Sequence, residues 1–314
     1  MSRLLPFVCA PSYPFAQQWL AALQVAMPDE HVVALEGLDT KARAACEVAI
    51  VANPQTSDLR TLPNLKWVHS VWAGVERLVH DLRESDLEIV RLIDPQLADT
   101  MAEAVQAWTM YLHRDMPRYA RQQAARQWFP HDYVRPEDKT VALLGLGELG
   151  AACANRLHAV GFSLCGWSRT RKAIPNVQCY AGDEELPTML ARTDILICLL
   201  PLTPQTKGIL DAKTFGLIRK GASLINFARG GIIDDEALRA ALDGEHLSHA
   251  VLDVFNQEPL PEAGWQWQHP RVTVLPHISA PTDRRTASTI VATNIRRYRD
   301  TGVMPPVVDK ERWY

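Results

Sequence analysis

The sequence predicts an α/β protein of two Rossmann-like or flavodoxin-like domains, each a parallel sheet covered by helices, with a cleft between them. Three observations predict it. Short apolar runs alternate with helical segments along most of the chain, the pattern that crossover connections leave in a sequence. The 314 residues are too many for one small core and suit two domains of ordinary size. Finally, Gly145-Leu146-Gly147-Glu148-Leu149-Gly150 lies between an apolar run and an Ala-rich segment, where a dinucleotide-binding unit turns from strand to helix.

In chain order, the first strands are expected at Leu4 to Cys9, His31 to Leu35, Glu47 to Val51, Lys66 to Val71 and Glu88 to Leu92, with helices between them. The run from Leu4 to Ala10 faintly imitates a signal peptide, but it has one preceding cation and a proline in its core, and it reads as a strand. From Asp99 to Gln127, Met101, Val105, Trp108 and Leu112 fall at helical spacing. Pro117 should end or kink that helix, since proline lacks the N–H and its ring clashes with the preceding turn. A second series of strands follows at Val141 to Leu144, Ser163 to Trp167, Ile195 to Leu199, Ser223 to Asn226, Ala250 to Asp253 and Thr273 to Leu275. A last helix, Thr286 to Asp300, carries Ile290, Val291, Ile295 and Tyr298 on one face and stops at Gly302.

A hydrophobic content of 47%, a charged content of 22% and a net charge of −3 are those of a globular protein, with nothing that asks for nucleic acid. No apolar stretch reaches the length that spans a bilayer. The six cysteines form no Cys-x-x-Cys pair and fall mostly in apolar runs, as buried thiols do in a reducing compartment, so the cytoplasm is the expected location. The ten histidines include no His-x-x-x-His array, and no metal site is expected. A P-loop fails at Ala222, where its lysine would stand.

In the glycine motif, the first Gly permits the tight turn, the second lets the backbone approach a pyrophosphate, and the third lets helix pack on strand. The helix N-terminus offers its N–H groups to the phosphates. The next strand should end beside the adenine ribose, about 20 residues past the glycines, where an NAD site places an acid. Here stand Ser168, Arg169, Thr170, Arg171 and Lys172. Three cations near one hydroxyl suit a 2′-phosphate, which a carboxylate would repel, so NADP(H) is the expected cofactor and NAD(H) the second choice. The plain alternative for these residues is a solvated basic loop.

Arg229, Glu258 and His277 each follow a predicted strand of the second series, where open α/β sheets place their ligand sites. Singly, each is by default a surface residue. Together they can reduce a 2-keto acid. An arginine fork grips the carboxylate, a protonated histidine gives its proton to the carbonyl oxygen as hydride arrives, and a glutamate on the imidazole orients it.

With those residues in place, the chain resembles the D-isomer specific 2-hydroxyacid dehydrogenases over nearly its whole length. The resemblance rests on Gly145 to Gly150, Leu199 to Pro204, Asn226 to Gly231, Leu252 to Pro259 and Pro276-His277. It implies that Arg229 binds substrate, that Glu258 and His277 form the acid/base pair, and that Asp253 contacts the nicotinamide carboxamide. It implies cofactor contacts at Leu200, Pro201, Thr206, Ala228 and Ser279, and a backbone cradle for the substrate carboxylate at Trp72, Ala73 and Gly74. Ala73 stands where the family often has Gly. The stretches Cys165 to Lys172, Trp267 to Thr273 and Val308 to Tyr314 are similar to NADPH-preferring members that reduce glyoxylate and hydroxypyruvate. The implied organisation is a substrate domain of residues 1–99 plus 284–314, a cofactor domain of residues 100–283, a cleft that closes on substrate, and a homodimer formed through the cofactor domain. Two alternatives stay open: a reductase of bulkier 2-keto acids such as phenylpyruvate, and a non-catalytic nucleotide-sensing protein on the same fold.

Overall fold

A computed structural model of the chain describes residues 3–313. It divides into two compact units, Met1–Gln96 with Thr282–Tyr314, and Leu97–Pro281. In the first, the order is β1 (Leu4–Cys9), α1 (Ala16–Ala26), β2 (His31–Ala34), α2 (Thr40–Ala44), β3 (Val48–Ala52), α3 (Thr56–Leu59), β4 (Trp67–Ser70), α4 (Glu76–Asp81) and β5 (Glu88–Val90). The second holds α5 (Pro95–His113), α6 (Met116–Ala124), β6 (Thr140–Leu144), α7 (Glu148–Ala159), β7 (Ser163–Ser168), β8 (Val177–Ala181), α8 (Gly182–Leu190) and β9 (Ile195–Cys198). It continues through α9 (Ala212–Leu217), β10 (Ala222–Asn226), α10 (Asp235–Asp243), β11 (Leu247–Leu252) and β12 (Val272–Val274), and the chain closes with α11 (Arg284–Thr301) in the first unit.

Both sheets are parallel. The first has the order β2-β1-β3-β4-β5 and the second β12-β11-β10-β9-β6-β7-β8, the two common doubly wound arrangements. Strands covered on both faces are apolar throughout, as Val48–Ala52 is, every residue of it buried. Alternation along each strand then sorts side chains between two helical layers. In the second unit Ala142, Leu144, Leu196 and Leu224 join Met189, Phe215 and Leu238, while Val141, Leu143, Ile197 and Ile225 join Val105, Cys153 and Leu157. In the first, Leu5, Ile50 and Trp67 pack with Trp19, Leu23, Val291 and Ile295. The last helix ends at Gly302, whose φ of 70° is the left-handed conformation glycine adopts without strain.

Two elements differ from expectation. The single helix from Asp99 to Gln127 is two, because Asp115 at φ 52° turns the chain between them and Pro117 falls in the first turn of α6. In that turn its missing N–H breaks no helical bond, so proline starts the second helix rather than ending the first. Strand β8 has no counterpart among the expected strands: it is an edge strand in which only Tyr180 is buried, and Gln178 interrupts its apolar pattern. No helix among the described residues is long and apolar enough to cross a membrane.

Two buried imidazoles make stability depend on pH. His69 in β4 is fully buried, its Nδ1 2.9 Å from the Ser70 carbonyl and its Nε2 2.9 Å from Asn294 Nδ2. Burial pushes it down to about 4, and pushes His249 in β11 down to about 3, with the nearby Arg121 and Arg271 cations adding to the effect there. In the unfolded chain both take up protons near pH 6.5. The stability that comes from holding them neutral is complete above that pH and is lost as the pH falls, towards about 4 for His69 and about 3 for His249. The unfolding free energy from urea titrations should therefore fall from pH 7 to pH 5, by up to about 1.4 kcal/mol per pH unit for each histidine. A His69→Gln variant should show a shallower fall, and an unchanged slope would remove His69 from the account.

Candidate active site

The register of the second sheet brings the site together. Leu144 pairs with Cys198, Cys198 with Asn226, Asn226 with Leu252, and Leu252 with Val274. The segments that follow these residues therefore leave the sheet along one carboxyl edge, the edge where doubly wound folds bind ligands. They are the Gly145 loop, Leu199-Leu200, Phe227 to Arg229, Asp253, and Leu275 to His277.

The three motif glycines have different tasks. Gly145 has φ 106°, and a Cβ there would lie 2.9 Å from the Leu199 carbonyl oxygen. A Cβ on Gly150 would lie 2.0 Å from the Gly145 oxygen, so no side chain fits where α7 meets the strand. Around Gly147 a Cβ would meet nothing within 4 Å, and this residue caps α7 with no side chain on the helix N-terminus. Such an open backbone approach fits a pyrophosphate. Leu146 is buried and Leu149 half-buried against the core, while Glu148 is exposed in the first turn.

Beyond β7 the basic loop is partly committed to the protein itself. Ser168 Oγ donates to the Thr170 carbonyl at 2.7 Å. Arg171 donates to the Cys179 carbonyl at 2.9 Å and pairs with Glu185, while Arg169 and Lys172 are exposed. Just after β9, Leu200 is buried and the turn that follows is closed by Thr206, whose Oγ1 donates to the Pro201 carbonyl at 2.6 Å.

Arg229 is held in extended backbone by Asn226, a fully buried amide. Its Oδ1 accepts from the Ala228 N–H at 3.2 Å and its Nδ2 donates to the Arg229 carbonyl at 3.1 Å. Gly230 then packs so closely on the next loop that a Cβ would stand 2.0 Å from the Phe255 carbonyl carbon. In that loop Glu258 Oε1 accepts from the Phe255 N–H at 2.9 Å, and Oε2 lies 2.7 Å from His277 Nδ1. Half of the His277 side chain is exposed, so its other nitrogen is open to a reactant.

His277 has φ 56°, a left-handed conformation that costs a non-glycine residue free energy. Asp253 holds it there. This buried carboxylate accepts from the Ile278 N–H at 2.7 Å and from the Ser279 N–H at 2.9 Å, clamping the two residues after the histidine. Its expected contact to a carboxamide would use lone pairs left over from that task. Ser279 is buried and its hydroxyl has no partner among the described residues. Asn226 as a support for Arg229 was missed in the sequence, where an Asn ending an apolar strand two residues before a candidate site was the available signal.

In the first unit, Trp72, Ala73 and Gly74 follow β4. The Trp72 N–H is already donated to Ser70 Oγ at 3.0 Å, which leaves the expected carboxylate cradle to Ala73 and Gly74. Its ring is wedged edge-on against Tyr13 and Trp19, with centroids 6.1 and 5.4 Å away.

Residues 107–279 match the D-isomer specific 2-hydroxyacid dehydrogenase NAD binding domain. A glyoxylate/hydroxypyruvate reductase A from Yersinia enterocolitica is 36% identical over 96% of this chain and 98% of its own. A D-isomer specific 2-hydroxyacid dehydrogenase from Xanthobacter autotrophicus, solved in complex with NADPH and MES, is 36% identical with a TM-score of 0.92 over the full length of both chains. An NADPH-dependent glyoxylate/hydroxypyruvate reductase from Sinorhizobium meliloti, solved with NADP and sulfate, is 31% identical with a TM-score of 0.90 over the same extent.

Proposed function

Because this chain belongs to the D-isomer specific 2-hydroxyacid dehydrogenases, which are NAD(P)-dependent enzymes, we propose that it reduces small 2-keto acids with NADPH, glyoxylate to glycolate and hydroxypyruvate to D-glycerate. The observation that carries the reading is the His277–Glu258 pair, built at 2.7 Å on the edge of the sheet that also presents Arg229 and the glycine loop. The names of the relatives and the NADP-bound neighbours support the same substrates and cofactor.

The open backbone at Gly147 fits the pyrophosphate, and Arg169, Arg171 and Lys172 would meet the 2′-phosphate. A bound nicotinamide supplies the hydride. Arg229 holds the substrate carboxylate and polarises the adjacent carbonyl. His277 donates Nδ1–H to Glu258 and gives its Nε2 proton to the carbonyl oxygen, which becomes the hydroxyl of the product. Glu258 stabilises the imidazolium that must exist before transfer. Oxidation of NADPH and NADH with glyoxylate, hydroxypyruvate, pyruvate and phenylpyruvate tests the reading. Turnover of the two small acids with NADPH is expected, preference for phenylpyruvate would move the substrate to the bulkier class, and no turnover on any would favour a sensor.

The cytoplasm suits the thiols, since burial pushes Cys153, Cys165 and Cys198 up to about 12, where they are unreactive. The working form is a homodimer. After α6, Trp128 is fully exposed, with Phe129 and Tyr133 each more than 60% exposed, yet this arm is fixed in place. Gln122 Nε2 donates to the Phe129 carbonyl and the His131 N–H donates to the Tyr119 hydroxyl, both at 3.1 Å. Apolar side chains held out by hydrogen bonds belong against another surface. Light scattering should give a dimer for the wild type and a shift towards monomer for Trp128→Ser. A monomeric wild type at micromolar concentration would refute this.

A further inference from the structure

The basic loop after β7 is tied to a carboxylate that charge alone would exclude. Glu185, in α8, pairs with Arg171 through Oε1 and accepts the Ala181 N–H through Oε2 at 2.8 Å. The same guanidinium donates to the Cys179 carbonyl, so one arginine ties the loop to both β8 and α8. The Ala181 N–H first, and Arg171 after it, hold the Glu185 carboxyl below the usual carboxylate range, which keeps it ionised. A negative charge beside a phosphate site weakens phosphate binding, and its presence there calls for a compensating role.

We propose that Glu185 is a positioning residue for cofactor selectivity, fixing Arg171 so that its unused N–H groups are ordered before a 2′-phosphate arrives. This rests on the NADP(H) reading. Of the five N–H groups of a guanidinium, two are committed to Glu185 and Cys179, and with 59% of the side chain exposed the others reach solvent. An exposed arginine left loose must be ordered at the moment of binding, whereas a tethered one already is. Glu185 thus acts through Arg171 and touches no ligand.

The two effects of the carboxylate have opposite signs, which makes the test direct. If charge dominated, Glu185→Ala would improve binding of a 2′-phosphate. If positioning dominates, it weakens that binding and leaves a 2′-hydroxyl ligand unaffected. Binding of 2′,5′-ADP and 5′-AMP, measured by calorimetry, is expected to show the ratio of affinities falling about three- to fivefold in Glu185→Ala, the ceiling for an ion pair between exposed side chains. Glu185→Gln keeps an oxygen for the Ala181 N–H but not the charge for Arg171, and should lose as much. In an Arg171→Ala background, where no guanidinium is left to position, Glu185→Ala should no longer weaken 2′,5′-ADP binding and should leave it equal or slightly tighter. The ratio of kcat/KM for NADPH and NADH should follow the same order. An unchanged or raised preference in Glu185→Ala overturns the proposal while leaving the cofactor reading intact. A wild type that does not prefer 2′,5′-ADP removes both.

Discussion

Glyoxylate reduction by His277→Ala turns over about a hundred- to ten-thousandfold more slowly than by the wild type, the range for losing a positioned general acid. The loss appears in kcat, and the KM for NADPH stays where it was, because His277 lies at the end of β12 and away from the glycine loop of β6. The fold of the variant should survive, since half of the side chain is in solvent and its bond to Glu258 is its one polar tie among the described residues. Glu258→Gln should cost less than His277→Ala, as its one amide oxygen still accepts from either Nδ1–H or the Phe255 N–H, while the other position becomes a donor and the charge beside the imidazole is lost. Stopped-flow single turnovers separate the chemical step from product release. A chemical rate within threefold of wild type in His277→Ala would end its assignment as the acid.

Arg229→Ala lowers kcat/KM for glyoxylate by about two to four orders of magnitude, the loss of two hydrogen bonds to a charged group at about 1.5–3 kcal/mol each. Both KM and kcat should suffer, because in the proposed reaction the guanidinium grips the carboxylate in the ground state and the carbonyl oxygen more strongly as charge gathers on it. Arg229→Lys falls between, since an ammonium keeps the charge but not the planar fork. Thermal midpoints should change less than activity in either variant, for the Arg229 backbone is held by Asn226 whatever the side chain is, and the bond given up by the guanidinium is a local one to the Ala228 carbonyl at 2.7 Å. An Arg229→Ala enzyme with unchanged KM would mean that the carboxylate is bound elsewhere, with Ala73 and Gly74 the first place to look.

Much of this was legible in the chain. The alternation of apolar runs fixes parallel sheets because only strands buried on both faces can be apolar at every position, as Val48–Ala52 is. Glycine spacing locates the cofactor turn because no other residue tolerates a Cβ 2.0 Å from a carbonyl oxygen, the situation at Gly150. Edge strand β8 escaped for the converse reason, half-exposed residues having little apolar signal to give. The break between α5 and α6 was misplaced because it depends on Asp115 adopting a left-handed backbone, a choice that residue types do not dictate.

By itself, then, the sequence determined the fold class and the strand ends at which Arg229, Glu258, His277 and the basic residues after Ser168 stand. Each of these is a matter of residue type and spacing along one dimension. Only the tertiary structure decided which group each of them meets. Asp253 turns out to clamp Ile278 and Ser279, and Arg171 turns out to be tied to Glu185, 14 residues away across a strand. The Trp72 N–H is spent on Ser70. Partner choice of this kind follows from strand register and from the path of the chain between strands, so that groups far apart in sequence compete for the same donor within about 3 Å. Residue types along the chain carry no record of that competition.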